Sequence, residues 1–143
     1  MKSFQAAARI RATPDTIWRI LTDASSYPRW NPTVKKIDGR IAAGEKIALE
    51  ANGRTFKLKV SEFEPSKKMI WEGGMPLGLF KGTRTYTLTP QADGSVEFFM
   101  REEFSGLMSP LIEKSLPDLQ PQFEQFAASL KQHAENQTKG AHA

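Results

Sequence analysis

Residues 109–136 read SPLIEKSLPDLQPQFEQFAASLKQHAEN. Ser109 is placed to cap a helix, and Pro110 suits the first helical position, where a missing N–H costs nothing. Ile112, Leu116, Leu119, Phe123, Phe126 or Ala127, and Leu130 recur at three- and four-residue steps and form one continuous apolar face. Lys114, Asp118, Gln122, Gln125, Ser129 and Gln132 fall mostly elsewhere and are expected to stay wet. The run is too polar to span a membrane. Pro117 and Pro121 each remove a backbone hydrogen bond, so the spacing predicts a kink or two joined helices. A long one-sided helix cannot bury its stripe alone. It needs a broad, concave partner.

The rest of the chain reads as that partner. Phe4, Ala6, Ala8 and Ile10 alternate with Gln5, Ala7, Arg9 and Arg11, the pattern of a half-buried strand. Thr13, Pro14 and Asp15 then start a helix carrying Ile17, Trp18, Ile20 and Leu21, expected to end near Asp23. Pro28 and Pro32 flank Trp30 and Asn31 and allow no more than a short helical turn.

Strand follows strand from Val34 on. Asn52-Gly53 is a strong hairpin signal and pairs Ala51 with Arg54, Leu49 with Phe56 and Ile47 with Leu58. A four-residue loop at 64–67 pairs Phe63 with Lys68 and sets Val60 opposite Trp71. A turn at 74–77 sets Trp71 opposite Phe80. A turn centred on Asp93 pairs Leu88 with Phe98, Tyr86 with Met100 and Arg84 with Glu102. Arg84 and Glu102 then share one face with Phe80, Tyr86, Phe98, Met100 and Phe104, which is unusual company for an ion pair. Thr83, Thr85, Thr87 and Thr89 take the opposite, solvated face.

The predicted architecture is α+β. A curved antiparallel sheet of about seven strands wraps around a long C-terminal helix, with two short helices after the first strand. Residues 1–136 form one domain and 137–143 a flexible tail. Gly39, Gly73, Gly82 and Ala51 thin the lining, so an internal cavity open at one end is expected.

Composition excludes several functions. The chain has 143 residues, a net charge of +4 and no cysteine, which rules out disulfides, thiolate metal sites and a cysteine nucleophile. Lys and Arg are spread along the chain, which fits a solvated surface better than a nucleic-acid patch. The first residues lack an apolar signal region, so a cytoplasmic protein without stable membrane insertion is expected. The two histidines, His133 and His142, sit late in the chain and offer neither a Ser–His nor a zinc centre. No glycine-rich phosphate loop is present.

In order along the chain, TPDTIWRILTD, YPRWNP, KMIWEGG, GLFKGTRTYTLTP and REEFSGLMSPLIEKSL resemble the START-like, or SRPBCC, superfamily with its Bet v 1-like helix-grip fold. The combination is similar to the bacterial polyketide cyclase/dehydrase-like branch. The resemblance covers nearly the whole chain. It implies a hydrophobic small-molecule ligand, such as a lipid or an aromatic or polyketide-like compound. Cyclase/dehydrase chemistry and a chaperone-activator-like interaction module are the alternatives. Fold analogy does not choose among them. It implies no cofactor, and no His/Asp cluster matches the iron site of oxygenase relatives. A homodimer is compatible with it.

The expected ligand walls are Trp71, Phe80, Tyr86, Phe98, Met100 and Phe104 from the sheet, with Phe123 and Phe126 from the helix. Large apolar residues are usually core, so each wall residue competes with that simpler reading. Arg84 and Glu102 are the expected polar groups, either aimed at a ligand or joined as a structural ion pair. Tyr86 is a candidate proton donor. Trp30 and Asn31 are either rim, with Met75, Leu77 and Leu107, or a plug under a loop. No exposed apolar patch of the kind an interaction module needs is readable.

Overall fold

The computed structural model describes residues 3–51, 53–114, 116 and 118–141, with side chains as far as Thr138. Strand β1 (Ser3–Ile10) turns Phe4, Ala6 and Ile10 inward, as its alternation requires. Helix α1 (Pro14–Thr22) begins at a true cap: Thr13 Oγ1 accepts from the Thr16 N–H at 3.1 Å. A 3₁₀ turn (Ala24–Ser26) leads into the one-turn helix α2 (Tyr27–Trp30). Six strands follow: β2 (Lys36–Asp38), β3 (Lys46–Ala51), β4 (Arg54–Glu64), β5 (Lys68–Met75), β6 (Phe80–Pro90) and β7 (Val96–Ser105). Helices α3 (Ser109–Glu113) and α4 (Gln120–Ala141) close the chain.

The seven strands form one antiparallel sheet in the order β1-β7-β6-β5-β4-β3-β2. Helix α4 lies along β1 and presents Phe123, Phe126, Ala127 and Leu130, all buried, to the inner face. Burying each large member stabilises by about 1.5–3 kcal/mol, against differences of a few tenths in helix propensity, so packing holds this helix. No helix among the described residues is long and apolar enough to cross a membrane.

The terminal helix is broken, as its prolines predict. Pro117 lies outside the described residues. Pro121 sits in the first turn of α4, where its missing N–H costs nothing, and Asp118 Oδ1 accepts from the Gln120 N–H at 3.0 Å. Ser109 is not the cap. Met108 holds that position, and the buried Ser109 Oγ has no hydrogen-bond partner among the described residues. Helix α4 also continues past Asn136 to Ala141.

The β3–β4 and β6–β7 registers are the expected ones, including Leu49 opposite Phe56 and Arg84 opposite Glu102. Asn52 of the first turn lies outside the described residues. Phe56 nevertheless stays 41% exposed, although Leu49 opposite it is buried. Two registers differ. Phe63 pairs with Met69, not Lys68, because the β4–β5 loop is a residue shorter than expected. A bulge between Val60 and Glu62 then restores Val60 opposite Trp71. Trp71 stands opposite Arg84, and Phe80 opposite Met75, because strand pairing runs on to Met75 and the four-residue turn sits two residues later, at 76–79.

One row therefore crosses the inner face: Val60, Trp71, Arg84, Glu102 and Phe4. A second row holds Met69, Tyr86, Met100 and Ala6.

Candidate functional site

The polar row sits among aromatic rings. Arg84 Nη2 donates to Glu102 Oε2 at 3.2 Å, and Arg84 Nη1 to the Tyr86 hydroxyl at 3.4 Å. The guanidinium also lies 4.8 Å from the centre of the Phe123 ring, within cation–π range. A guanidinium has five N–H groups, so donors remain on Arg84 beyond these contacts. Burial alone would lower the Arg84 pKa, but Glu102 and Tyr86 outweigh it and raise it, so Arg84 stays charged. Burial pushes the Tyr86 phenol up to about 12, against the opposing pull of Arg84.

Tyr86 is thus a neutral phenol whose oxygen accepts from Arg84. Its own proton has no acceptor among the described residues. Nearby, Trp71 packs edge-on against Tyr86, with centroids 4.9 Å apart. The Trp71 Nε1 is buried without a hydrogen-bond partner among the described residues, and so is Gln122 Oε1 on α4. Unpartnered buried polar atoms are uncommon in native structures and ask for a reason.

The expected walls are brought together. Phe98 and Phe126 stack at 6.1 Å, Tyr86 and Phe126 meet at 5.6 Å, and Phe80 stacks on Phe104 at 5.6 Å. Phe123 packs against Phe4, and Met100 is fully buried. Around Tyr86, Phe98 and Trp71 the interior is closed. Arg84 and Glu102 keep 16% and 14% of their side-chain surface accessible, and Phe80 is half-buried beside them. Access from solvent to the interior therefore reaches the ion pair.

None of the expected wall residues lines either of two open clefts on the described surface. One, of about 590 Å³, runs between β1 and α4 past Ala7, Phe99, Gln120 and Ala127. The other, of about 220 Å³, lies against α1, α2 and α4.

Trp30 is a plug and not a rim. It is buried, meets Tyr27 at 4.8 Å and Phe126 at 5.5 Å, and carries His133 stacked on it at 6.2 Å. Asn31 is fully buried beside it, and its Oδ1 accepts from Thr33. Met75, Leu77 and Leu107 are exposed, with Leu111, so apolar surface is present where none was expected. The β5–β6 turn and the link into α3 are tied together: the Leu107 N–H donates to Gly78 O at 3.1 Å, and the Met108 N–H to Leu79 O at 2.6 Å. Gly106, at φ +108°, permits this approach, since a Cβ there would lie 2.7 Å from Leu79 O.

Solved structures share this fold along nearly the whole chain. A hypothetical protein from Helicobacter pylori is 14% identical, with a TM-score of 0.79, covering 93% of this chain and 88% of its own. The Zhui aromatase/cyclase from a Streptomyces species is 11% identical, with a TM-score of 0.76, covering 98% and 97%. A START superfamily protein from Mycobacterium smegmatis is 17% identical, with a TM-score of 0.66, covering 94% and 98%. No curated protein matches by sequence. Over residues 1–135 the sequence matches one family model, and the chain belongs to that family, polyketide cyclase / dehydrase and lipid transport.

Proposed function

We propose that the protein binds a hydrophobic small molecule, a lipid or an aromatic or polyketide-like compound, between the sheet and α4. The ligand presents a carbonyl, phenolate or carboxylate oxygen to Arg84 and Tyr86. The observation that carries this reading is Tyr86, a buried neutral phenol with an unclaimed proton beside a cation with unclaimed N–H groups. Such a pair of donors in an aromatic setting suits an acceptor oxygen on an otherwise apolar body. Entry is at the Phe80, Arg84 and Glu102 end, where side chains retain accessible surface, and the rings yield as the ligand enters.

The same donors favour cyclase/dehydrase chemistry as a second reading. A neutral Tyr86 and Arg84 together can polarise a carbonyl during an aldol-type closure.

Titration with anilinonaphthalene sulfonate, an anionic hydrophobic probe, tests the binding reading. Saturable fluorescence enhancement is expected at about one probe per chain, weakened at least about tenfold in Arg84→Met. A neutral phenylnaphthylamine should lose far less. Absence of saturable binding by either probe, or equal affinity in folded Arg84→Met, overturns the proposal.

A further inference from the structure

Helices α1, α2 and α4 each send one basic side chain to the cleft of about 220 Å³: Arg19, Arg29 and His133. Ile20, Asp23, Ser26 and Gln137 complete its wall. None of these residues belongs to the interior site. Among the described residues neither arginine has an ion-pair partner. Arg19 donates weakly to Thr16 Oγ1 at 3.4 Å. The one carboxylate in the wall, Asp23, accepts from the Ser25 hydroxyl at 2.8 Å. Both arginines are solvent-exposed, so their charges are hydrated and cost little, but two guanidiniums against one carboxylate leave this concave site net positive and attractive to an anion.

We propose that this cleft binds the phosphate group of a small molecule, held by Arg19 and Arg29 with His133 as the third contact. Guanidinium groups match phosphate oxygens with paired N–H donors. Donors arriving from three helices suit an anion with three free oxygens better than a flat carboxylate. The cleft holds several times the roughly 30 Å³ of one water, enough for a phosphate and the start of the body that carries it.

His133 makes the site readable. Burial, and then the nearby Arg29, hold its pKa below the ordinary value, so it is neutral at neutral pH. Gln137 Nε2 lies 3.1 Å from His133 Nε2, and Trp30 covers one face of the ring. The charged groups around it are Arg29 on α2 and Arg19 and Asp23 at the end of α1. A bound phosphate offsets the Arg29 field and offers an acceptor, so His133 protonates more easily. By reciprocity, phosphate binds more tightly as pH falls through that transition.

The experiment uses the full chain with His142→Asn, which leaves His133 as the single imidazole. Its ring resonances are followed by proton NMR at about pH 7.5, with inorganic phosphate or acetate added and chloride holding ionic strength constant. Phosphate should shift them saturably and raise the His133 pKa, and acetate should bind at least about tenfold more weakly. Arg29→Gln should abolish the response, and Asp23→Asn should tighten it. An equally saturable acetate response overturns the phosphate assignment. A linear response, or one unchanged in Arg29→Gln, reduces the cleft to ordinary ionic screening and overturns the site.

Discussion

Arg84 meets Glu102 directly across β6 and β7, Nη2 to Oε2 at 3.2 Å, on the face of the sheet that α4 covers. Removing one partner of a buried pair typically costs about 3–5 kcal/mol, because the other charge is stranded. Here 16% and 14% of the two side chains stay accessible, so solvent screening brings the cost to that low end or somewhat below it. Arg84→Met should destabilise by about 2–3 kcal/mol in urea unfolding. Arg84→Met with Glu102→Leu should recover most of that while remaining unable to hold an anionic probe. A double variant as unstable as the single one removes the ion pair as the cause.

Alkaline titration reports on Tyr86. Its folded-state value, about 12, exceeds the ordinary phenol value of 10.0. Between those values the folded chain binds more protons than the unfolded one. The stabilisation is therefore complete below pH 10 and disappears as pH rises toward 12. Tyr27 acts in the same direction: burial raises its pKa well above the usual range, and its hydroxyl donates to Leu21 O at 2.6 Å. These are the two tyrosines of the chain. Phenolate absorbance should stay flat past pH 10 and then rise together with loss of circular dichroism. Tyr86→Phe should shallow the alkaline loss of stability. Phenolate appearing near pH 10 in the folded protein contradicts the closed environment.

Two glycines separate folding from binding. A Cβ on Gly73 would fall 2.6 Å from Leu58 Cδ2 and 2.7 Å from Lys57 O, so Gly73→Ala forces a backbone clash. It should cost about 1–3 kcal/mol in denaturant unfolding. A Cβ on Gly82 meets Phe104 Cε1 at 3.4 Å and lies 3.7 Å from Glu102 Oε1, an ordinary contact. Gly82→Ala should change stability by less than about 1 kcal/mol, since it also restricts the unfolded chain. It should weaken the hydrophobic probe all the same, because the methyl occupies space beside the ion pair. Unchanged probe affinity in Gly82→Ala moves the ligand away from Glu102.

What the sequence made legible tracks the strength of local chemistry. The Asn52-Gly53 and Asp93-Gly94 turns carry their own conformational demand, so both hairpins could be registered pair by pair. The turn around Ser66, at φ 62°, and the one around Leu77, at φ 60°, place ordinary residues in the left-handed region and carry no such signal. A bulge at Ser61 hid the loop-length error before β5, but nothing hid the two-residue displacement of the β5–β6 turn, so Trp71 opposite Arg84 escaped the sequence reading. The cluster of Arg84, Tyr86 and Glu102 was legible because strand alternation alone puts them on one face. The Arg19, Arg29 and His133 cleft was not, because its members come from three helices whose relative placement is set by tertiary packing.

The exposed edge of β1 supplies the last prediction. Pairing with β7 uses one side of this strand, and the other side is covered by side chains of α4. Gln120 Nε2 donates to Gln5 O at 2.7 Å while its Oε1 accepts from the Gln5 N–H at 3.4 Å. Lys131 Nζ donates to Arg9 O at 2.6 Å, and the Arg11 N–H donates to Glu135 Oε2 at 2.9 Å. Gln5 and Arg9 face outward, so the period of two turns Ala7 outward between them, beside the 590 Å³ groove. Unpaired strand edges invite pairing with another chain. Gln120→Ala with Lys131→Met should therefore bring concentration-dependent self-association in size-exclusion chromatography with light scattering, at a modest loss of stability of about 1–2 kcal/mol. A double variant with the same mass distribution as the parent at every concentration would show that the helix body, and not these side chains, guards the edge.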